Sequence, residues 1–173
     1  MLYALIVLAA IAALLIYATT RPDTFRLERS TVILAPPEKV FALIDNFHDW
    51  TKWSPWENID PALKRTYGGP DAGRGTLYAW EGNNKVGSGR MEITESAPAE
   101  KIVIKLDFLK PFEAHNIAEF TFAPKDGGTV VTWAMYGPCP FISKLMQIFC
   151  SMDKMVGGQF EQGLANLKAA AEK

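Results

Sequence analysis

The side chains of this sequence best suited to act as a general base near neutral pH are its two histidines, His48 and His115. His115 lies in a strand-like run whose alternation points it away from Ala118 and Phe120. We interpret it as a solvated strand residue. His48 comes just before a cluster of tryptophans and could lie near the mouth of a cavity. Catalysis by either histidine is the less favoured alternative.

The acidic residues and the cysteines give no stronger case for catalysis or metal binding. Glu92 and Asp107 fall on the outward faces of predicted strands, so no pair of carboxylates points inward. The GxSxG, HExxH and P-loop patterns are missing from the sequence. Cys139 and Cys150 lack a CxxC spacing, and we interpret both as apolar residues. A Cys139–Cys150 bridge is the alternative in an oxidising compartment. We expect no metal and no cofactor.

The large apolar side chains indicate binding rather than chemistry. They recur on the inward faces of predicted strands and along one face of the C-terminal helix. If sheet and helix enclose space, these side chains line a hydrophobic cavity. The alternative is a solid core. The predicted ligand-binding residues are Trp53, Trp80, Phe108, Phe120, Trp133, Met135, Met155, Phe160 and Gly163.

Three tryptophans lie close together in the stretch WTKWSPWENIDP. Their spacing of three fits about one helical turn, but Pro55 prevents a longer helix. We expect Trp53 to pack inward, because the Ser-Pro pair that follows fixes the chain there. Trp50 and Trp56 are predicted to be partly exposed, at the lip of the cavity or on the surface.

The charges are balanced overall but unevenly placed along the chain. There are 18 Lys and Arg residues against 19 Asp and Glu, which gives no electrostatic reason to expect nucleic acid binding. Residues 1–20 contain no charged side chain and no histidine. A helix of this length spans about 30 Å, the thickness of a bilayer core. Tyr3 and Tyr17 stand where interface aromatics are expected. The segment is therefore predicted to be a single-pass membrane anchor.

A cleaved signal peptide and a buried soluble helix are the alternatives to this anchor. A signal peptide normally carries Lys or Arg ahead of its apolar run, and none is present here. Arg21, Arg26 and Arg29 follow the apolar segment. By the positive-inside rule they favour a cytoplasmic C-terminal domain.

The remaining pattern predicts an α+β domain. We divide the chain into an anchor (1–20), a linker (21–24) and one domain (25–173). Short alternating runs separated by turn residues predict a meander of about seven antiparallel strands. A helix is predicted near 36–46, between the first strand and the tryptophans, and another at 141–149. A long helix at 151–171 is interrupted by Gly157, Gly158 and Gly163, so a neighbour must approach it closely or space is left beside it.

This order of elements, together with particular stretches, resembles the SRPBCC or START-like superfamily in its polyketide cyclase/dehydrase-like branch. The stretches are ILAPPEKVFALI (33–44), WTKWSPW (50–56), YGGPDAGRGTLYAWEGN (67–83), GSGRMEITESAP (87–98), GGTVVTWAMYG (127–137) and MDKMVGGQFEQGLANLK (152–168). The resemblance implies a helix-grip fold, in which a curved antiparallel sheet of seven strands wraps around a long C-terminal helix and a hydrophobic cavity. Many bacterial members look similar and carry one N-terminal membrane segment.

The leading hypothesis is a membrane-tethered module that binds a hydrophobic small molecule or lipid without chemistry. The first alternative is a cyclase- or dehydratase-type enzyme acting on a hydrophobic substrate. The second is an interaction or stress-response module without a small ligand. The enzyme hypothesis requires polar side chains that point into the cavity.

Overall fold

The structure is a computed structural model that describes residues 2–149 and 151–173. Its helices are α1 (Leu2–Thr19), α2 (Pro37–Asp45), α3 (Phe141–Phe149) and α4 (Gly158–Ala171). Its strands are β1 (Thr24–Ile33), β2 (Lys64–Gly68), β3 (Leu77–Glu81), β4 (Ser88–Ala97), β5 (Lys101–Lys110), β6 (Ala114–Lys125) and β7 (Gly128–Pro138). The predicted α+β helix-grip class, with a C-terminal helix and an N-terminal apolar helix, is confirmed.

The seven strands form one antiparallel sheet in the order β1-β7-β6-β5-β4-β3-β2. Apolar and polar residues alternate along β5, so one face of the sheet is buried. Ile102 and Ile104 are fully buried on the concave face, and Lys105 is exposed on the other. Register shifts in β4, at Ser88/Gly89 and at Ile93/Glu95, mark irregularities of the bulge type. Such bulges bend a strand and increase its twist. The sheet can therefore curve around α4, and the core lies between them.

The tryptophan segment forms two short 3-10 helices, Phe47–Lys52 and Pro55–Asn58. Trp53 is buried, as predicted. The expected partial exposure of Trp50 is wrong, because Trp50 is only 5% exposed. Its indole N–H donates to the carbonyl of Ile44, and that of Trp53 donates to the carbonyl of Leu43, both at 2.9 Å. The two tryptophans thus satisfy carbonyls at the end of α2 that have no partner within the helix.

The C-terminal helical region is not one continuous α-helix. A π-helical turn, Asp153–Gly157, precedes α4. Across this turn the core-facing residues Met152, Val156 and Phe160 keep a spacing of four. Met155, predicted on the cavity wall, lies outside the cavity lining, and its side chain is about half exposed. Val156 packs against the core instead.

Helix α1 lies largely outside the core. Its 18 residues have a mean hydropathy of 2.5, which is long and apolar enough to cross a membrane. Ala18 is its buried residue, and all of its large side chains except Leu14 are exposed. α1 contacts α3. Because α1 is so little buried, the described structure does not support the alternative of a buried soluble helix.

Candidate ligand-binding cavity

A cavity of about 280 Å³ lies between the concave face of the sheet and the C-terminal helical region. Strands β3 to β7 form one side, and the tryptophan segment, Val156 and Phe160 form the other. The side chains around it are mainly apolar and aromatic. They are Trp50, Ser54, Trp56, Glu57, Leu63, Tyr78, Trp80, Lys85, Val86, Met91, Leu106, Phe108, Lys110, Pro111, Ala118, Trp133, Met135, Val156 and Phe160.

The predicted site residues fall into three groups. The cavity wall includes Trp80, Phe108, Trp133, Met135 and Phe160. A packed cluster beside the cavity contains Trp53, Phe120 and Gly163. Met155 lies outside both. Whether any of these residues contacts a ligand stays a prediction.

The packed cluster is built around Trp133. Its indole ring stacks on Phe160 at 4.1 Å and on Phe120 at 5.0 Å between ring centroids. Trp53 meets it edge-on at 5.6 Å. A Cβ added at Gly163 would lie 2.7 Å from Trp133 Cζ3. Gly163 therefore lets the ring approach α4 closely and leaves no free space beside the helix.

Trp133 also carries an unpaired donor. Its Nε1 is buried and has no hydrogen-bond partner among the described residues. A buried polar group without a partner costs about 1–3 kcal/mol. One residue on the cavity wall therefore holds an unused N–H group within an otherwise aromatic cluster.

A polar group that the sequence did not reveal stands at the cavity. Glu57 is buried, and its Oε1 accepts a hydrogen bond of 2.6 Å from the Tyr78 hydroxyl. Its Oε2 accepts one of 2.6 Å from Arg65 Nε. Arg65 also donates from Nη2 to the Glu57 carbonyl at 2.9 Å. We call Glu57, Arg65 and Tyr78 the polar triad; Glu57 and Tyr78 line the cavity.

The 3-10 helix that begins at Pro55 is what turns Glu57 inward. In the sequence, Glu57 lies between Trp56 and Asn58, and nothing in this context marks it as buried. No periodic pattern connects it to Arg65. Burial raises the pKa of Tyr78, and its hydrogen bond to Glu57 raises it further. Tyr78 is therefore a neutral hydroxyl at physiological pH that donates to Glu57. Its oxygen, like those of Glu57, keeps capacity to accept a hydrogen bond.

The two histidines lie away from this cavity. His48 is exposed and stacks on Tyr67 at 3.8 Å between centroids. His115 lies on the outer face of the sheet, where its Nδ1 is 2.7 Å from Asp107 Oδ1. The hydrogen bond to Asp107 raises the pKa of His115.

Asp107 faces outward, as predicted, but is not solvated. Neighbouring side chains cover it, and it is 2% exposed. Burial alone would raise its pKa. Hydrogen bonds from His115, Arg90 and Lys105 outweigh burial and lower the pKa. This cluster stabilises the outer face and takes no part in the cavity.

Within residues 2–149 and 151–173, no group of three His, Cys, Asp or Glu side chains could hold a metal ion. Cys139 is buried. The alternative of a Cys139–Cys150 bridge falls on Cys150, which lies outside the described residues. A second depression, beside the β6–β7 turn and Pro36, is open to solvent and encloses nothing.

A family described as "Polyketide cyclase / dehydrase and lipid transport" matches residues 24–172. This chain belongs to that family. The match leaves out the α1 segment, and it includes every residue of the cavity and of the polar triad. The family resemblance stated from the sequence is thus confirmed. No curated protein matches the sequence.

Solved structures show the same fold at low sequence identity. Protein CV1439 from Chromobacterium violaceum is 21% identical with a TM-score of 0.59, over 88% of this chain and 99% of that one. The di-domain ARO/CYC protein StfQ from the steffimycin biosynthetic pathway is 14% identical with a TM-score of 0.65, over 86% of this chain. BexL, the di-domain ARO/CYC protein of the BE-7585A pathway, is 16% identical with a TM-score of 0.63, over 91%. The alignments cover 51% of StfQ and 53% of BexL, about half of each.

Proposed function

We propose that this chain is a membrane-tethered module that binds a hydrophobic small molecule or lipid in the cavity between the sheet and the C-terminal helical region. The observation that carries the proposal is a mainly apolar cavity with a polar group at its wall. Membership of a family described by lipid transport and by cyclases supports it.

The shape and chemistry of the cavity narrow the class of ligand. Ligand pockets usually measure about 300–1,000 Å³. At about 280 Å³, this cavity suits a small molecule or one part of a lipid. The body of the ligand must be apolar, because it would contact Trp80, Phe108 and Met135. One polar group on the ligand would hydrogen-bond with Tyr78 or Glu57, because burying a polar atom there without a partner is costly.

The exposed apolar surface of α1 supports the tether. A hydrophobic ligand is concentrated in a bilayer, so an anchored domain meets it there. A cleaved signal peptide is the competing interpretation. Intact mass of the purified chain and resistance to carbonate extraction test the two: a chain that has lost residues 1–20 and is soluble contradicts the tether.

Native mass spectrometry of the full chain, released from detergent micelles, tests the binding. We expect an apolar molecule to co-purify. Ala118→Phe should abolish it, because Ala118 is buried on the cavity wall. The matched control is Thr121→Phe on the same strand but outside the cavity. A wild-type chain without ligand from several expression hosts, or an Ala118→Phe variant that retains it, contradicts the proposal.

The polar triad favours one second candidate, a cyclase- or dehydratase-type enzyme. That hypothesis requires polar side chains directed into the cavity, and Glu57 and Tyr78 meet this requirement. Incubation with a poly-β-ketone substrate analogue tests it by loss of water from the analogue. Turnover at saturating substrate that is lost in Glu57→Gln supports an enzyme, because weaker binding alone does not lower it. Binding without turnover in the wild type contradicts the enzyme and supports the binding module.

A further inference from the structure

We infer that one end of the sheet docks on the bilayer surface, so that the cavity opens directly towards the membrane. This docking end consists of the β3–β4 turn (82–87), the β5–β6 turn (111–113) with Leu109 and Lys110, and helix α3. The inference rests on the proposed tether and adds to it an orientation of the domain and a route for the ligand.

The strand registers place these parts at one end of the sheet. Thr24 at the start of β1 pairs with Pro138 at the end of β7. Phe108 pairs with Ala114 across the β5–β6 turn. Ser88 pairs both with Glu81 and with Lys110, so the β3–β4 turn lies beside the β5–β6 turn. The chain leaves α1 and enters α3 at this same end.

The docking end exposes large apolar side chains. Leu109 lies near the end of β5 and Phe112 in the turn that follows, and Phe112 is 72% exposed. On α3, Ile142 is 66% exposed and Met146 is exposed beside it at a spacing of four. Side chains of this kind on a turn and on an amphipathic helix are typical of insertion at the interface of a bilayer.

The tether holds this end against the membrane. Thr20–Asp23, the four residues between α1 and β1, reach at most about 14 Å. Asp23 is also bound on both sides of the α3 start: its carbonyl accepts from the Cys139 N–H and its carboxylate pairs with Lys144, each at 2.6 Å. α1 itself contacts α3. With α1 in a bilayer, α3 therefore lies at the bilayer interface.

The cavity reaches the same end. Its lining includes Lys85 and Val86 from the β3–β4 turn, and Lys110 and Pro111 from the β5–β6 turn. Both lysines are exposed. At an interface their ammonium groups would lie among lipid headgroups while their aliphatic stems border the cavity. An apolar ligand could then pass from bilayer to cavity without crossing bulk water.

A labelling experiment on the full chain tests the orientation. Single cysteines replace Phe112, Ile142 or Leu34 in a background of Cys139→Ala and Cys150→Ala, and each carries the fluorophore NBD. The chain is reconstituted in vesicles of phosphatidylcholine with phosphatidylglycerol. Leu34 is the matched control, because it is exposed and apolar but lies at the opposite end of the sheet, next to the end of β1. We expect a blue-shifted emission, quenched by nitroxide-labelled lipid, at 112 and 142 and not at 34.

The outcomes separate this inference from the tether. A chain that floats with the vesicles but gives the same signal at 112 and 142 as at 34 overturns the docking and leaves the tether standing. A chain that does not float overturns both. A blue shift that rises with protein density, without nitroxide quenching, assigns the surface to a second copy and also overturns the proposal.

Ligand entry gives a second readout. Uptake of a pyrene-labelled fatty acid from the vesicle bilayer can be followed by energy transfer from the cavity tryptophans. Phe112→Glu should slow uptake about fivefold or more, because a charge opposes insertion of the turn. Leu34→Glu should leave the rate unchanged. Equal rates for the two variants contradict entry through the docking end.

Discussion

The space between the sheet and the C-terminal helical region has two unlike halves. In the packed half, Trp53, Phe120, Trp133 and Phe160 fill the volume with stacked and edge-on rings, and Trp133 and Phe160 also border the cavity. In the hollow half, Trp80, Phe108, Met91 and Met135 surround a cavity that contains no protein atoms. The same kinds of residue line both. The two halves differ in the element that packs against them. At Gly163, α4 lies directly against the packed half, while the hollow half faces the tryptophan segment and Val156.

This difference shows that residue type alone does not make a binding site. An aromatic side chain contributes to stability where it meets another surface, and it is available to a ligand where it does not. Substitutions in the packed half should therefore mainly lower stability, and substitutions in the hollow half should mainly change ligand binding. The variants below are compared by urea unfolding of the full chain in a mild detergent, with ligand occupancy measured by native mass spectrometry.

The largest effect is expected for Trp53→Ala, in the packed half. Trp53 is 1% exposed, and its loss leaves a large void and the Leu43 carbonyl without its donor. We expect the free energy of unfolding to fall by about 4 kcal/mol. A loss below about 1 kcal/mol would mean that this half is not tightly packed.

Glu57→Gln should have the next largest effect. It should lower the free energy of unfolding by about 3 kcal/mol, because it leaves Arg65 without its anionic partner in a partly buried site. Tyr78→Phe removes one hydrogen bond and should cost about 1–2 kcal/mol. Both should weaken ligand binding. If Tyr78→Phe binds the native ligand as well as the wild type does, the polar triad supports structure alone.

Phe108→Ala tests the hollow half directly. Phe108 is only partly buried and borders the cavity, so its removal should cost about 2 kcal/mol or less, well below Trp53→Ala. It should also change which ligand is bound, since the cavity becomes larger. Equal losses of stability for Phe108→Ala and Trp53→Ala would remove the distinction between the two halves.

Two glycines of the C-terminal helical region give a matched pair. Gly163→Ala should destabilise the protein by about 1–3 kcal/mol, because the new methyl group overlaps the ring of Trp133. Gly158→Ala meets no atom within 4 Å and should instead stabilise by up to about 1 kcal/mol through helix propensity. If both variants are stabilised, Trp133 does not rest against α4.

The smallest effect is expected for His115→Gln, which lies in neither half. The pKa of His115 is raised in the folded state, so its contribution to stability is full below about pH 6.5 and is lost as pH rises through the raised pKa. The variant should therefore be less stable than the wild type at pH 5.5 and nearly equal at pH 9. Ligand occupancy should not change at either pH; a change would connect the outer face to the cavity.

Sequence reasoning predicted the fold better than the site. Alternation in β5 and the turn residues between strands are local signals, and they were sufficient for the meander and for the inward side of the sheet. Burial of Trp50 depends on carbonyls at the end of α2, and the exposure of Met155 depends on which side of the helical segment before α4 meets the core. Glu57 becomes a cavity residue only through Arg65 and Tyr78, which lie on separate strands. These are tertiary contacts, and no period in the sequence encodes them.

The four residues between α1 and β1 also limit what the domain can do with a cargo. With α1 anchored, a domain on so short a link cannot leave its own bilayer or cross the gap to another membrane. The domain would take up and release its ligand at one membrane and would not carry it between membranes. Any molecule it holds must return to the same bilayer or be handed to a second protein that comes to meet it.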